Sequence, residues 1–243
     1  ISACLVGSEM CIRDRNIYET GLITMNKGKI IVLEGLDGCG KSTQLNILFN
    51  NLQSAGKTRL ISFPNYESST GRVVSEYLQG TIPCEGAAGA YAASGFYASD
   101  RYASYVTDWK NDYENGSVIV SGRYTTSNAI YQMTKLPRDQ WDSFLAWLKD
   151  YEYKRLGLPE PDLVLFLDMP IEISQKLLSA RYNGDESKKD IHESSAAFLR
   201  RCRESALYTA KRWGWRIIQC SDGTAPLPIE DIALRIKKET EEI

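Results

Sequence analysis

Nine consecutive residues, Gly35-Leu36-Asp37-Gly38-Cys39-Gly40-Lys41-Ser42-Thr43, constrain this chain more than any other stretch. They follow an apolar, β-branched run, Lys29 to Glu34, that predicts a buried strand. They precede Gln44 to Phe49, where apolar residues recur at helical spacing. A glycine, four residues, then Gly40-Lys41-Ser42 is the spacing of a phosphate-binding loop between strand and helix. The glycines let the backbone curl so that several N–H groups converge on a phosphate. The new helix adds its positive end, and the Lys41 ammonium reaches the outer phosphates as a point charge. Ser42 can place its hydroxyl on Mg²⁺. The pattern predicts that the chain binds a nucleoside triphosphate through these nine residues.

Four further strands follow in the pattern. Thr58 to Phe63 is ended by Pro64, Ser117 to Ser121 by Gly122, and Asp162 to Asp168 by Pro170, while Trp215 to Gln219 is the fifth strand in all. Helical periodicity fills the gaps, with a long segment from about Ala90 to about Tyr113 and a last helix from Ile229 to Lys238. Strands alternating with helices predict a parallel α/β sheet of five strands covered on both faces, with its binding crevice at the carboxyl ends of the strands. Residues 1–24 are expected to lie outside this domain, which spans 25–243. Cys4 to Arg15, CLVGSEMCIRDR, resembles a translated sequencing-adapter read-through, and the leader has no basic segment before an apolar run as a signal peptide would.

Composition excludes several classes. A formal net charge of −2 leaves no broad basic footprint for nucleic acid or an anionic membrane, and no apolar run is long enough to span a bilayer. The six cysteines lack paired metal-ligand spacing, and a lone His192 adds little, so a zinc site is not expected. Reduced thiols and a cytoplasmic location are the expectation.

A phosphate loop alone does not separate GTPases, ATPases and kinases. No Asn-Lys-x-Asp guanine-recognition string follows it. Polar signatures do follow: Phe63-Pro64 at a strand end, Tyr97-Ala98-Ser99-Asp100-Arg101 on the long helix, and GRYTTSNAIYQ from Gly122 to Gln132. With GLDGCGKSTQ, these resemble the thymidylate kinase family over essentially Asn26 to the C-terminus. The resemblance implies a P-loop kinase fold with a mobile lid, Mg²⁺-dependent transfer of the ATP γ-phosphoryl group to dTMP, and a homodimer. It implies that Arg101 and Arg123 hold the acceptor phosphate, that Tyr97 stacks on thymine, and that Asn128 reads the base edge. Tyr131 packs on the sugar, Asp37 receives the 3′-hydroxyl, and Phe63 and Ser127 complete the acceptor site.

The chain also departs from the family. Gly122 stands where the family usually has aspartate, and Tyr66 where many members have arginine. The phosphate loop carries no arginine before Lys41, so the transition-state cation is sought in the lid, at Arg181, Lys188 or Lys189. With Lys41 and Arg123, these are the candidate catalytic residues. Asp168 is left as either a remote acceptor for metal-bound water or a helix cap. A kinase for another deoxynucleotide or a deoxynucleoside, and a catalytically silent nucleotide-binding module, remain alternatives.

Overall fold

A computed structural model describes residues 27–181, 195–241 and 243. Five strands form one parallel sheet: β1 (Ile30–Gly35), β2 (Thr58–Ser62), β3 (Val118–Gly122), β4 (Leu163–Asp168) and β5 (Arg216–Gln219), in the order β2-β3-β1-β4-β5. β1 is central, with Leu33 beside Gly122 on one side and beside Leu165 on the other. The expected five-stranded parallel sheet is therefore present. Strand limits differ by a residue or so: Phe63 and Trp215 fall just outside β2 and β5.

Because successive side chains on a strand point to opposite faces, β1 is apolar on both. Ile30 and Val32 enter a core with Trp109, Ile130, Leu199 and Ala206. Ile31 and Leu33 enter a second core with Leu48, Ile232 and Ile236. Each such side chain contributes about 1.5–3 kcal/mol when fully buried. The second core brings together α1 (Lys41–Gln53) and α9 (Ile229–Thr240). The first packs α5 (Thr125–Tyr131) and α8 (Ala196–Trp213) over the sheet. Aromatic α6 (Trp141–Lys149) builds a third cluster from Trp141, Phe144 and Leu148 against Met133.

The long helix predicted from Ala90 is α3 (Gly86–Ser104), which begins earlier and then loosens into a π-helical turn, Tyr105–Trp109, before α4 (Lys110–Glu114). α6 likewise passes into a π-helical turn, Asp150–Arg155. Such turns insert a residue into the i→i−4 ladder and re-aim the side chains around them. Between β2 and α3, α2 (Ser69–Leu78) is capped by Ser68, whose hydroxyl accepts from the Gly71 N–H at 2.8 Å. Asp100 ties that loop down by accepting from the Asn65 N–H, the Ser68 hydroxyl and the Thr70 hydroxyl. α7 (Ile171–Arg181) follows β4. Asp168 forms a two-pronged ion pair with Arg203 of α8, at 2.6 and 2.8 Å, so it fastens β4 to α8 rather than capping a helix. No helix among the described residues is long and apolar enough to cross a membrane.

Candidate active site

The phosphate loop forms at the carboxyl end of β1, where a sheet of this topology binds ligands. Gly38 and Gly40 hold φ of 80° and 84°, the left-handed region that glycine enters without steric cost. Gly38 also lies so close to the Ser174 carbonyl that an added Cβ would stand 2.5 Å from it. Gly40 is the N-cap of α1 and supplies no side-chain cap, which leaves the first N–H groups of α1 for a ligand. Leu36 through Thr43 line a cavity of about 620 Å³, and Met169, Leu177, Pro226, Leu227 and Ile229 form an apolar wall across it. Gly35 does not line the cavity; its carbonyl accepts from the Lys41 ammonium at 3.0 Å. Burial, and then repulsion from Arg123, push the Lys41 pKa below its ordinary value, so the site gains by receiving negative charge. The Cys39 side chain turns into the second core, burial pushes its thiol up, and its N–H donates to the Leu36 carbonyl at 3.3 Å.

A second, smaller cavity adjoins the first. Tyr97, Arg123, Ser127, Asn128 and Tyr131 line it, and Asp37 lines both. The Arg123 guanidinium reaches Asp37 at 2.6 Å and lies 5.0 Å from the centre of the Tyr131 ring. The Tyr131 hydroxyl donates to the other Asp37 oxygen at 3.4 Å. Arg123 sits at φ 84°, a left-handed conformation that costs a side-chain-bearing residue about 1–2 kcal/mol. Tyr97 meets Tyr77 edge-on at 6.2 Å, and burial raises its hydroxyl pKa well above normal.

Arg101 and Phe63 are not where the family resemblance put them. Arg101 is 1% exposed and spends its Nε and Nη2 on Glu152, so it is not placed to take an acceptor phosphate. Phe63 packs in the core, 6.1 Å from the Tyr124 ring; its neighbours Pro64 and Tyr66 line the second cavity instead. At Gly122 an added Cβ would stand 2.6 Å from Leu45 Cδ2, so leucine fills the space beside the β3 terminus where the family usually has a carboxylate. The side chain of Arg181, together with Lys188, Lys189 and His192, lies outside the described residues.

Sequence reasoning passed over three site residues. Gln132 lines the second cavity, with its Oε1 accepting from the Tyr77 hydroxyl at 3.2 Å. Glu34 is fully buried at the end of β1; its Oε1 accepts from Thr126 and Ser127 hydroxyls, both at 2.6 Å. A carboxylate closing an otherwise apolar strand was the available signal. Glu152 gave none, since it sits in an aromatic-rich helical stretch like an ordinary surface glutamate.

Among the described residues no three His, Cys, Asp or Glu side chains cluster as a metal site. The exposed Ser42 at the start of α1 fits a hard cation that takes most of its ligands from nucleotide oxygens and water.

Comparison with known proteins agrees with this geometry. The family model described as Thymidylate kinase matches residues 33–226. A thymidylate kinase of Mycobacterium tuberculosis is 30% identical over 193 residues, covering 77% of this chain and 88% of that protein. The human thymidylate kinase is 32% identical over 152 residues, 62% of this chain and 65% of that protein. In fold, the chain is similar to the solved thymidylate kinase of Candida albicans, with a TM-score of 0.65 at 24% identity, covering 89% of this chain and 92% of that one. The paired cavities, the phosphate loop and this match over most of its length place the chain in the thymidylate kinase family.

Proposed function

We propose that this protein transfers the γ-phosphoryl group of ATP to dTMP, giving ADP and dTDP. The observation that carries the reading is the pair of adjoining cavities that share Asp37, one built from the phosphate loop and one from Tyr97, Asn128 and Tyr131. In-line phosphoryl transfer needs donor and acceptor held end to end, with cations around the transferring group. Lys41 and the loop N–H groups hold the ATP phosphates, and Arg123 holds the acceptor phosphate. Tyr97 stacks on the thymine ring, Asn128 and Gln132 face its polar edge, Tyr131 packs on the deoxyribose, and Asp37 takes the 3′-hydroxyl. Ser42 would hold Mg²⁺, which when bound neutralises charge on the ATP phosphates. Arg181, Lys188 or Lys189 supplies a further cation. No general base is required, because the attacking group is already a phosphate oxygen. The chain works as a homodimer in the cytoplasm, by its family membership.

A coupled assay of ADP release with dTMP, dUMP, dCMP, dGMP and thymidine as acceptors tests this. Turnover that depends on dTMP is expected. ATP binding without dTMP-dependent turnover would instead favour a silent nucleotide-binding module, the reading that Gly122 and its Leu45 neighbour keep in play.

A further inference from the structure

Arg101 on α3 and Glu152 on the π-helical turn after α6 form an ion pair with both side chains out of water, at 1% and 0% exposure. Two parallel hydrogen bonds join them, Arg101 Nε to Glu152 Oε2 at 2.7 Å and Arg101 Nη2 to Oε1 at 2.6 Å. The carboxylate accepts two more from α5, from the Thr125 hydroxyl at 2.7 Å and from Asn128 Nδ2 at 3.1 Å. The same Nδ2 also donates to the Ser94 carbonyl at 3.3 Å. Both Glu152 oxygens accept here, each from one Arg101 N–H and one α5 side chain. Asn128 thus faces two obligate acceptors, and only its NH₂ group satisfies both. Turned over, the amide would aim its Oδ1 at a carboxylate and a carbonyl in a buried setting, where unpaired polar contacts are most costly. Its Oδ1 is therefore the atom left for the cavity that Asn128 lines.

We propose that Glu152 is a specificity-determining positioning residue: by fixing the polarity of the Asn128 amide, it makes the acceptor site select bases with an N–H donor at ring position 3. The proposal rests on the reading of this cavity as the acceptor-nucleotide site. Thymine and uracil are imides and present N3–H to the waiting Oδ1. Cytosine presents a lone pair at N3, so acceptor would face acceptor. The Asn128 amide cannot turn to accommodate it while Glu152 and Ser94 hold Nδ2. Arg101, which the family pattern suggested for phosphate, serves here to hold Glu152 in place.

The test compares kcat/KM for dTMP and dCMP, at saturating ATP, in the unmutated protein and in the double variant Arg101→Met/Glu152→Met. The double variant removes both charges together and leaves no unpaired buried ion. The dTMP-to-dCMP ratio should fall on the order of 10-fold or more, because Nδ2 loses the stronger of its two acceptors and only the 3.3 Å contact to the Ser94 carbonyl still opposes a turn of the amide, while KM for ATP is unchanged. A merely structural pair would lower both substrates alike. An unchanged ratio in the folded double variant overturns the proposal and leaves the acceptor reading standing. No dTMP turnover by the unmutated protein overturns both. Independently of any double variant, NMR of the unmutated protein should show the Asn128 side-chain NH₂ protons slow to exchange, with and without dTMP, assigned by their loss in Asn128→Ser. Rapid exchange, or a turn of the amide when dTMP binds, overturns the proposal.

Discussion

Replacing Arg123 by glycine should leave the protein standing and stop its chemistry. Arg123 holds φ 84°, so glycine at this position releases about 1–2 kcal/mol of backbone strain. Against that stand glycine's extra freedom in the unfolded chain, about 0.5–1 kcal/mol, and the lost pair with Asp37. The pair's side chains are 23% and 20% exposed, which limits its worth to about 1 kcal/mol. These effects nearly cancel, so thermal unfolding should shift by no more than about 4 °C. Alanine keeps the strain and loses the pair, so Arg123→Ala should be less stable than Arg123→Gly by about 1 kcal/mol, the reverse of the usual order of these residues. Both variants lose an oriented cation at the acceptor phosphate and should fall about 10²–10³-fold in kcat, measured by coupled ADP release with dTMP. If alanine proves as stable as glycine, the backbone strain is not stored at Arg123. If Arg123→Gly turns over normally, the guanidinium is not part of the transfer machinery.

Lys41→Ala should lose on the order of 10³-fold or more in turnover with little change in melting temperature, since its one hydrogen bond among the described residues is to the Gly35 carbonyl. Lys135 gives a pH signature: burial pushes its ammonium from 10.5 down to about 8, so between those values the unfolded chain holds a proton that the folded one has released. Stability then rises with pH through that window, and urea unfolding at pH 7.5 and 9.5 should show the wild type gaining on Lys135→Met by about 1 kcal/mol after allowance for solvent screening; parallel curves would contradict it. Alanine at Arg181, Lys188 and Lys189 in turn, with Lys154→Ala as a surface control, should include at least one loss on the order of 10²-fold in kcat that exceeds any rise in KM; three control-like variants would send the search for that cation elsewhere.

The strands were legible because each is a short, largely apolar run and four of the five end at glycine or within two residues of proline, and sheets covered on both faces demand such runs. The start of α3 was not, since Gly86 to Gly89 is glycine and alanine with no apolar period to mark the helix. Neither π-helical turn leaves a mark on the sequence, yet one of them carries Glu152. The phosphate loop and the Gly122 to Gln132 segment could be read because their working groups lie within a few residues of each other. Arg101 could not: its partner is 51 residues away, and a motif gives a position on a helix without saying which neighbour claims the side chain. Phe63 failed for the same reason, its ring turned to Tyr124 while the next residues line the cavity.

The departure at Gly122 ties these points together. With leucine filling the space beside the β3 terminus, the carboxylates near Arg123 are Asp37, in contact with it, and buried Glu34, whose charge also favours the guanidinium. Arg123 is thus desolvated and aimed before any substrate arrives, with its charge balanced by a carboxylate that lines both cavities. On the proposed reading, an acceptor phosphate entering the second cavity would meet a cation that has already shed most of its water. In the proposed reaction it would replace Asp37 as that cation's partner and leave Asp37 to accept from a sugar hydroxyl. Little reorganisation then remains for the transfer step, the condition under which fixed charges lower a barrier most. In this chain that preparation comes from the loop aspartate, at a point where the family usually also has a carboxylate on the neighbouring strand.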